Sequence, residues 1–311
     1  MQRYGSVLVA LAAALSGLVA AEPAHADRGH GHGEALATRN EHCTGSAPVV
    51  CHLDLAPGTY DVSVLLGGAT AGRTTVTAET RRTMLAPTPT GAGQTVRRAF
   101  TVDVRHPEGE PTGPAGSPGL DLRFEGPAPR LAGLRVAPAP RTPQILLAGD
   151  STVCDQPAEP YSGWGQQLPR FFGRGTSVAN YADSGEGTES FLANPALFPA
   201  LLTEVRRGDR VLVTPVVRRW FNADGTLDNG VALHVNGLGV DLPAQTRSLA
   251  AELDVPLIDL TALSKRRVEQ LGPEASKALY LYDEARDNTH TSVRGATEFA
   301  ALVRDALRVV K

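Results

Sequence analysis

Three cysteines in 311 residues are too few for a disulfide-knit small fold or a four-cysteine zinc site, so any metal would need histidine and carboxylate ligands. The chain also lacks an excess of positive charge. Thirty Lys+Arg stand against 33 Asp+Glu, for a net charge of −3, and without a basic field nothing gathers phosphate backbones. Nucleic-acid binding through bulk electrostatics is thereby excluded. After the first 26 residues no apolar run approaches the roughly 20 residues that span a bilayer. What the chain does have is 42% hydrophobic residues, enough for one or two domains with ample cores and too much for a disordered chain.

At the start, Arg3 precedes an apolar stretch over 7–21, and Ala24-His25-Ala26 offers a small-x-small cleavage site. This pattern predicts a secretory signal peptide over 1–26, and hence an exported protein with no membrane attachment after cleavage; an uncleaved anchor is the alternative. Residues 27–42 are rich in Gly, His and charge without periodicity, which reads as a flexible linker. Its His30-Gly31-His32 triplet would take a metal only adventitiously.

Short runs with period-two alternation follow at 59–66, 74–80, 96–105, 120–124 and 131–136, separated by turn signals such as Pro57-Gly58 and Gly67-Gly68. They predict a small antiparallel β-sandwich over 43–137, a candidate carbohydrate-binding module. Cys43 and Cys51 lie eight positions apart in a chain read as exported, which favours a small loop disulfide; two free thiols are the alternative. Three prolines within 137–143 mark a domain boundary, with a stiff connection over 138–143.

From residue 144 the texture changes. Apolar runs at 145–148, 211–217 and 256–260 read as buried parallel strands. Helical patterns at 165–172, 190–206, 242–253, 260–270 and 292–309 alternate with them, so 144–311 is expected to be an α/β domain with a parallel sheet.

The first of these strands runs straight into Gly149-Asp150-Ser151, and open α/β sheets place their ligands at strand carboxyl ends. A serine hydroxyl is a weak nucleophile near neutral pH. It needs an imidazole to accept its proton and a carboxylate to fix the imidazole's tautomer. His234 and His290 are the histidines of this half, and His290 has the better context, because Asp287-Asn288-Thr289-His290 puts a carboxylate and an imidazole on one loop. The same residues could simply cap the helix that follows. Cys154 reads as a buried small hydrophobe, and Trp164, Phe171 and Phe172 as core. Asp150 more plausibly braces the turn than acts as a base.

Taken together, Gly149-Asp150-Ser151-Thr152-Val153 and Asp287-Asn288-Thr289-His290 resemble the GDSL/SGNH hydrolase superfamily. The stretches GDSTVCDQP, Gly163-Trp164-Gly165-Gln166, Asn180-Tyr181-Ala182 and Val213-Thr214-Pro215-Val216-Val217-Arg218-Arg219 narrow the resemblance to its rhamnogalacturonan acetylesterase-like branch. The resemblance implies a three-layer parallel sheet flanked by helices. It implies Ser151 as nucleophile, His290 as general base and then acid, and Asp287 as its orienting carboxylate, with the backbone N–H groups of Ser151 and Gly185 donating to the oxyanion. Asp150, Arg218 and Arg219 are candidate substrate-binding residues, the arginines because a guanidinium grips a uronate carboxylate bidentately.

Two departures stand out. Where the family has Gly-Arg-Ser, this chain reads Gly185-Glu186-Gly187-Thr188. Its Gly-x-Asn-Asp block, whose Asn donates to the oxyanion, is absent together with a strand and a helix, since Gly208-Asp209-Arg210 runs directly into Val211. Losing one oxyanion donor costs about 2.7–4 kcal/mol of transition-state stabilisation. The run at 211–217 is expected to act as one hybrid strand that closes a narrower sheet.

The reading is therefore an exported serine carboxylester hydrolase. It acts on O-acetyl groups of pectic polysaccharide, or on a small acetyl ester, through an acetyl-serine intermediate, at a rate reduced by the missing donor. No cofactor and no metal is called for. An impaired glycan-binding protein, or the product of a truncated reading frame, is the alternative. Oligomeric state is not legible in the sequence.

Overall fold

The computed structural model describes residues 42–105, 118–205, 211–233 and 240–309. The expected signal peptide and almost all of the expected linker lie outside these residues, as does His234.

Alternating apolar residues build the first half. Strands β1 (Cys43–Gly45), β2 (Val49–Leu53), β3 (Gly58–Gly67), β4 (Gly72–Ala78), β5 (Arg82–Thr90), β6 (Thr95–Val104), β7 (Leu120–Glu125) and β8 (Leu131–Pro138) pair antiparallel in two sheets. Their orders are β1-β2-β7-β4-β5 and β6-β3-β8. Val62, Val64 and Leu66 of β3, with Phe100, Leu122 and Phe124, are buried in one apolar cluster fed by both sheets. Each such side chain contributes about 1.5–3 kcal/mol by leaving water. Cys43 and Cys51 face each other across β1 and β2 and form a disulfide.

The second half mixes strands and helices. In chain order come β9 (Gln144–Leu147), α1 (Trp164–Gln167), β10 (Ser177–Asn180), α2 (Thr188–Ala193), α3 (Phe198–Glu204), β11 (Leu212–Val213), α4 (Leu242–Leu253), β12 (Leu257–Ile258), α5 (Leu260–Ala275), α6 (Tyr282–Ala285) and α7 (Val293–Leu307). Asp241 and Asp259 begin α4 and α5 by accepting the N–H groups of Ala244 and Ala262, and Ser292 begins α7 by accepting that of Gly295. The single helix expected over 190–206 is instead α2 and α3, broken around Pro195, whose ring and missing N–H stop a helix. Trp164, Cys154, Val178, Ile258 and Phe299 share one core.

The parallel sheet is where expectation and structure part. Strand β9 pairs with β10, and β11 with β12, both parallel, and among the described residues no ladder joins the two pairs. The run at 211–217 therefore closes no narrower sheet. Only Leu212 and Val213 pair within it, because Pro215 has no N–H to offer and side chains take over the backbone beyond it. Thr261 Oγ1 donates to the Pro215 carbonyl at 2.6 Å, and the Val217 N–H donates to Ser264 Oγ at 3.2 Å. Leu147 and Val178 from one pair nonetheless pack in the same core as Val213 and Ile258 from the other.

Among the described residues no helix is long and apolar enough to cross a membrane, and no cluster of three His, Cys, Asp or Glu side chains could hold a metal ion.

Candidate active site

Strand β9 ends in the turn that carries Ser151. The Asp150 carbonyl accepts the N–H groups of Val153 and Cys154, and Asp150 Oδ1 accepts the Thr152 N–H at 3.0 Å and its hydroxyl at 2.8 Å. Asp150, a candidate for substrate binding, thus braces its own turn through Oδ1.

The other half of the site comes from the loop between α6 and α7. Asp287 Oδ1 accepts the N–H groups of Thr289 at 2.7 Å and His290 at 3.0 Å, which curls the loop so that Oδ2 meets His290 Nδ1 at 2.6 Å. His290 Nε2 lies 3.0 Å from Ser151 Oγ, across 139 positions of sequence. All three side chains are half-buried.

Electrostatics follow from this packing. Burial works against the Asp287 charge, but the hydrogen bonds from the His290 ring and the two backbone N–H groups outweigh it and hold the carboxyl at about 2. The carboxylate in turn raises the His290 pKa above its ordinary value, against the opposing effect of burial. An imidazole placed between a carboxylate and a hydroxyl in this way can take the hydroxyl proton and hold the resulting charge.

Gly185 sits in the loop after β10. Asp183 of that loop donates its N–H to the Gly149 carbonyl at 3.1 Å, so the loop runs beside the Ser151 turn. Gly185 itself has φ +78°, a left-handed backbone that glycine adopts without steric cost. Glu186, which stands where the family has arginine, buries Oε2 without a hydrogen-bond partner among the described residues.

The two arginines after β11 part company. Arg219 is 6% exposed. Its N–H donates to the Asn288 carbonyl at 2.8 Å, and its guanidinium donates to Asn288 Oδ1 at 2.9 Å, to Ser276 Oγ at 3.1 Å and to the Pro273 carbonyl, while Tyr282 covers its face at 4.4 Å. It is spent on holding the loop that carries Asp287 and His290, so its candidacy for substrate binding is corrected to a brace. Arg218 is half-buried with its charge beside Asp150, Asp287 and His290. Burial draws its pKa down and the two carboxylates oppose that.

Residues that sequence reasoning missed complete the support. Asn180 Nδ2 donates to the Val153 carbonyl at 3.0 Å and to Asp155 Oδ1 at 2.8 Å, and Gln156 Nε2 donates to the Ser151 carbonyl at 2.9 Å. Asp155 is fully buried and paired with Arg82 of β5 at 2.9 Å. No local spacing announces these partners. The only available hint was polar residues amid apolar runs.

No family model matches the chain. The rhamnogalacturonan acetylesterase RhgT of Bacillus subtilis (strain 168) is 33% identical over 215 residues, which cover 53% of this chain and 89% of that protein. The uncharacterized esterase YxiM of the same organism is 25% identical over 300 residues, 83% of this chain and 73% of that one. The crystal structure of the Bacillus subtilis YxiM protein aligns with 84% of this chain and 80% of its own at a TM-score of 0.42 and 24% identity.

Proposed function

We propose, from the premise that this chain belongs to the GDSL/SGNH hydrolase superfamily and is a carboxylic ester hydrolase, that it is an exported serine enzyme removing O-acetyl groups from pectic polysaccharide of the rhamnogalacturonan type. The observation that carries the mechanism is the line of contacts from Ser151 Oγ through His290 to Asp287. The substrate class rests on the name of the 33% identical relative. Export rests on the sequence pattern over 1–26.

In the proposed reaction Ser151 Oγ bonds to the acetyl carbonyl carbon while His290 Nε2 takes its proton. The oxyanion is met by the N–H groups of Ser151 and Gly185. Collapse breaks the bond to the sugar oxygen, which leaves with the proton from His290, and acetyl-Ser151 remains. A water, deprotonated by His290, then releases acetate and restores the serine. Asp287 holds the ring so that Nδ1 keeps its proton and Nε2 stays free to accept one. Arg218 supplies positive charge beside the reacting groups, suited to the carboxylates of a uronate-containing polymer. With the Asn block missing, two oxyanion donors act where the family has three, and a reduced rate is the consequence. We read the two antiparallel sheets as a small sandwich domain preceding the catalytic one.

The test is acetate release from 4-nitrophenyl acetate and from acetylated pectin, with Ser151→Ala alongside. Loss of release in the variant is expected on both substrates. Full activity in Ser151→Ala would overturn the mechanism, and release from the small ester alone would overturn the polysaccharide assignment.

A further inference from the structure

The turn between β4 and β5 reaches into the second half of the molecule with three consecutive residues. The Thr80 carbonyl accepts Gln166 Nε2 at 2.8 Å, which also donates to the Gln156 carbonyl at 2.9 Å. Arg81 Nη1 donates to the Gln156 carbonyl at 3.0 Å and to the Tyr161 carbonyl at 3.2 Å. Arg82 pairs with Asp155 and donates to the Val178 carbonyl at 3.4 Å.

Both carbonyls held by Arg81 lie one contact from the reacting pair. The Gln156 side chain donates to the Ser151 carbonyl. The Tyr161 ring meets the His290 ring edge-on, with centroids 5.6 Å apart and planes at 76°. Next to Tyr161, Ser162 exchanges two hydrogen bonds with Thr291, the neighbour of His290: its N–H donates to the Thr291 carbonyl at 3.1 Å, and its carbonyl accepts Thr291 Oγ1 at 2.5 Å. One guanidinium nitrogen, Nη1, therefore holds both the carbonyl that leads to the serine turn and the carbonyl that leads to the histidine loop.

The backbone carries an independent mark of the same role. Arg81 has φ +56° and Glu79 φ +52°, left-handed conformations that cost a side-chain-bearing residue free energy and persist only where the surroundings over-determine them. In this turn the Arg81 N–H donates to the Glu79 carbonyl at 2.7 Å, and the strained conformation aims the guanidinium at the two carbonyls.

We propose that Arg81 is a positioning residue for the hydrolysis, setting the separation of Ser151 and His290 from the β4–β5 turn, so that the antiparallel half is an integral part of the active site. The inference rests on the serine mechanism given above. The experiment compares kcat, KM and melting of the full chain on 4-nitrophenyl acetate for Arg81→Asn, Arg81→Lys, Glu159→Gln and Ser151→Ala. Asparagine tolerates the left-handed backbone and removes both donors. A displacement of the reacting pair by a fraction of an ångström lowers kcat about tenfold, with KM and the cooperative melt unchanged. Lysine, whose one ammonium nitrogen carries three N–H donors and can replace the single nitrogen that serves both carbonyls, recovers part of that loss. Glu159, an exposed partner of Arg81 at 3.4 Å, contributes nothing to either carbonyl, and Glu159→Gln keeps the parental kcat. A kcat within twofold of the parent in a cooperatively melting Arg81→Asn overturns the proposal. Should Arg81→Asn fail to fold, Arg81→Gly, which also accepts the left-handed backbone and removes both donors, decides, and a parental kcat there is refutation. An inactive Ser151→Ala beside a fully active Arg81→Asn removes this inference alone, whereas an active Ser151→Ala removes the mechanism beneath it.

Discussion

Asp287→Asn tests the proposed mechanism with the smallest change of shape. Asp287 Oδ1 accepts two backbone N–H groups, at 2.7 and 3.0 Å, so in the asparagine variant the amide oxygen must take that place. The NH2 group then faces His290 Nδ1 across the 2.6 Å gap. Two donors cannot face each other, so Nδ1 becomes an acceptor and the one proton of the neutral ring moves to Nε2. There it points at Ser151 Oγ, 3.0 Å away, and the lone pair that should take the serine proton is gone. A base in the wrong tautomer lowers kcat by about 10⁴, or about 5.4 kcal/mol of barrier. The pH profile changes as well. In the parent the Asp287 hydrogen bond raises the His290 pKa against burial, so the acid limb of kcat/KM lies above 6.5; in the variant burial acts without that support and the limb moves to lower pH. The assay is 4-nitrophenyl acetate hydrolysis from pH 5 to 9. More than about a tenth of the parental kcat in Asp287→Asn would refute the reasoning, because no proton at Nε2 is compatible with that rate.

Burial holds Glu79 up to about 8, against the opposing charges of Arg82 and Arg105 and the hydrogen bond from the Asp121 N–H, with the Asp121 charge adding to the rise. The folded chain thus keeps a proton that the unfolded chain gives up near 4.5, and this contribution to stability is lost as pH rises from there through 8, at no more than roughly 1.4 kcal/mol per pH unit. Calorimetry of Glu79→Gln should show its advantage in Tm over the parent widening from pH 5 to pH 8; a constant difference contradicts the account. A Cβ on Gly295 of α7 would lie 1.8 Å from the Leu279 carbonyl oxygen, so Gly295→Ala forces α7 off the segment that precedes the catalytic loop. A loss of about 3 kcal/mol or more is expected in urea titration, and a change under 1 kcal/mol would show that this approach is not rigid.

How much of this was legible in the sequence depended on how local each interaction is. The Asp287–His290 pairing was readable because three residues of spacing already fold the loop on itself, and α4 matches its expected bounds because Asp241 caps its start and Asp254 ends it in a left-handed conformation. Strand β5 went unseen because Pro87 and Pro89 argue against a strand. It lies at the edge of its sheet, where a missing N–H costs no ladder bond. Arg218 and Arg219 look equivalent in sequence, yet burial along this stretch alternates, and Arg219 shares the inward side of Val217. That parity was the available signal. Arg81 carried none, and Asp155 and Asn180 only that of polar residues amid apolar runs, since the Asp155–Asn180 and Arg81–Tyr161 contacts are fixed only once chain segments 25 and 80 positions apart have met.

The break between the β9–β10 pair and the β11–β12 pair has a mechanical consequence. Ser151 follows one pair, and His290 belongs to a loop braced through Arg219 by the chain that leaves the other. The 3.0 Å contact between them spans a seam that, among the described residues, no ladder of backbone hydrogen bonds stitches, and only isolated hydrogen bonds such as that from the Ser162 N–H to the Thr291 carbonyl and side-chain packing set the distance. A seam of this kind opens at less cost than a ladder breaks. On heating, the enzyme should lose its hydrolytic rate while its helices still give their full signal, with the two halves of the reacting pair drifting apart before either half unfolds.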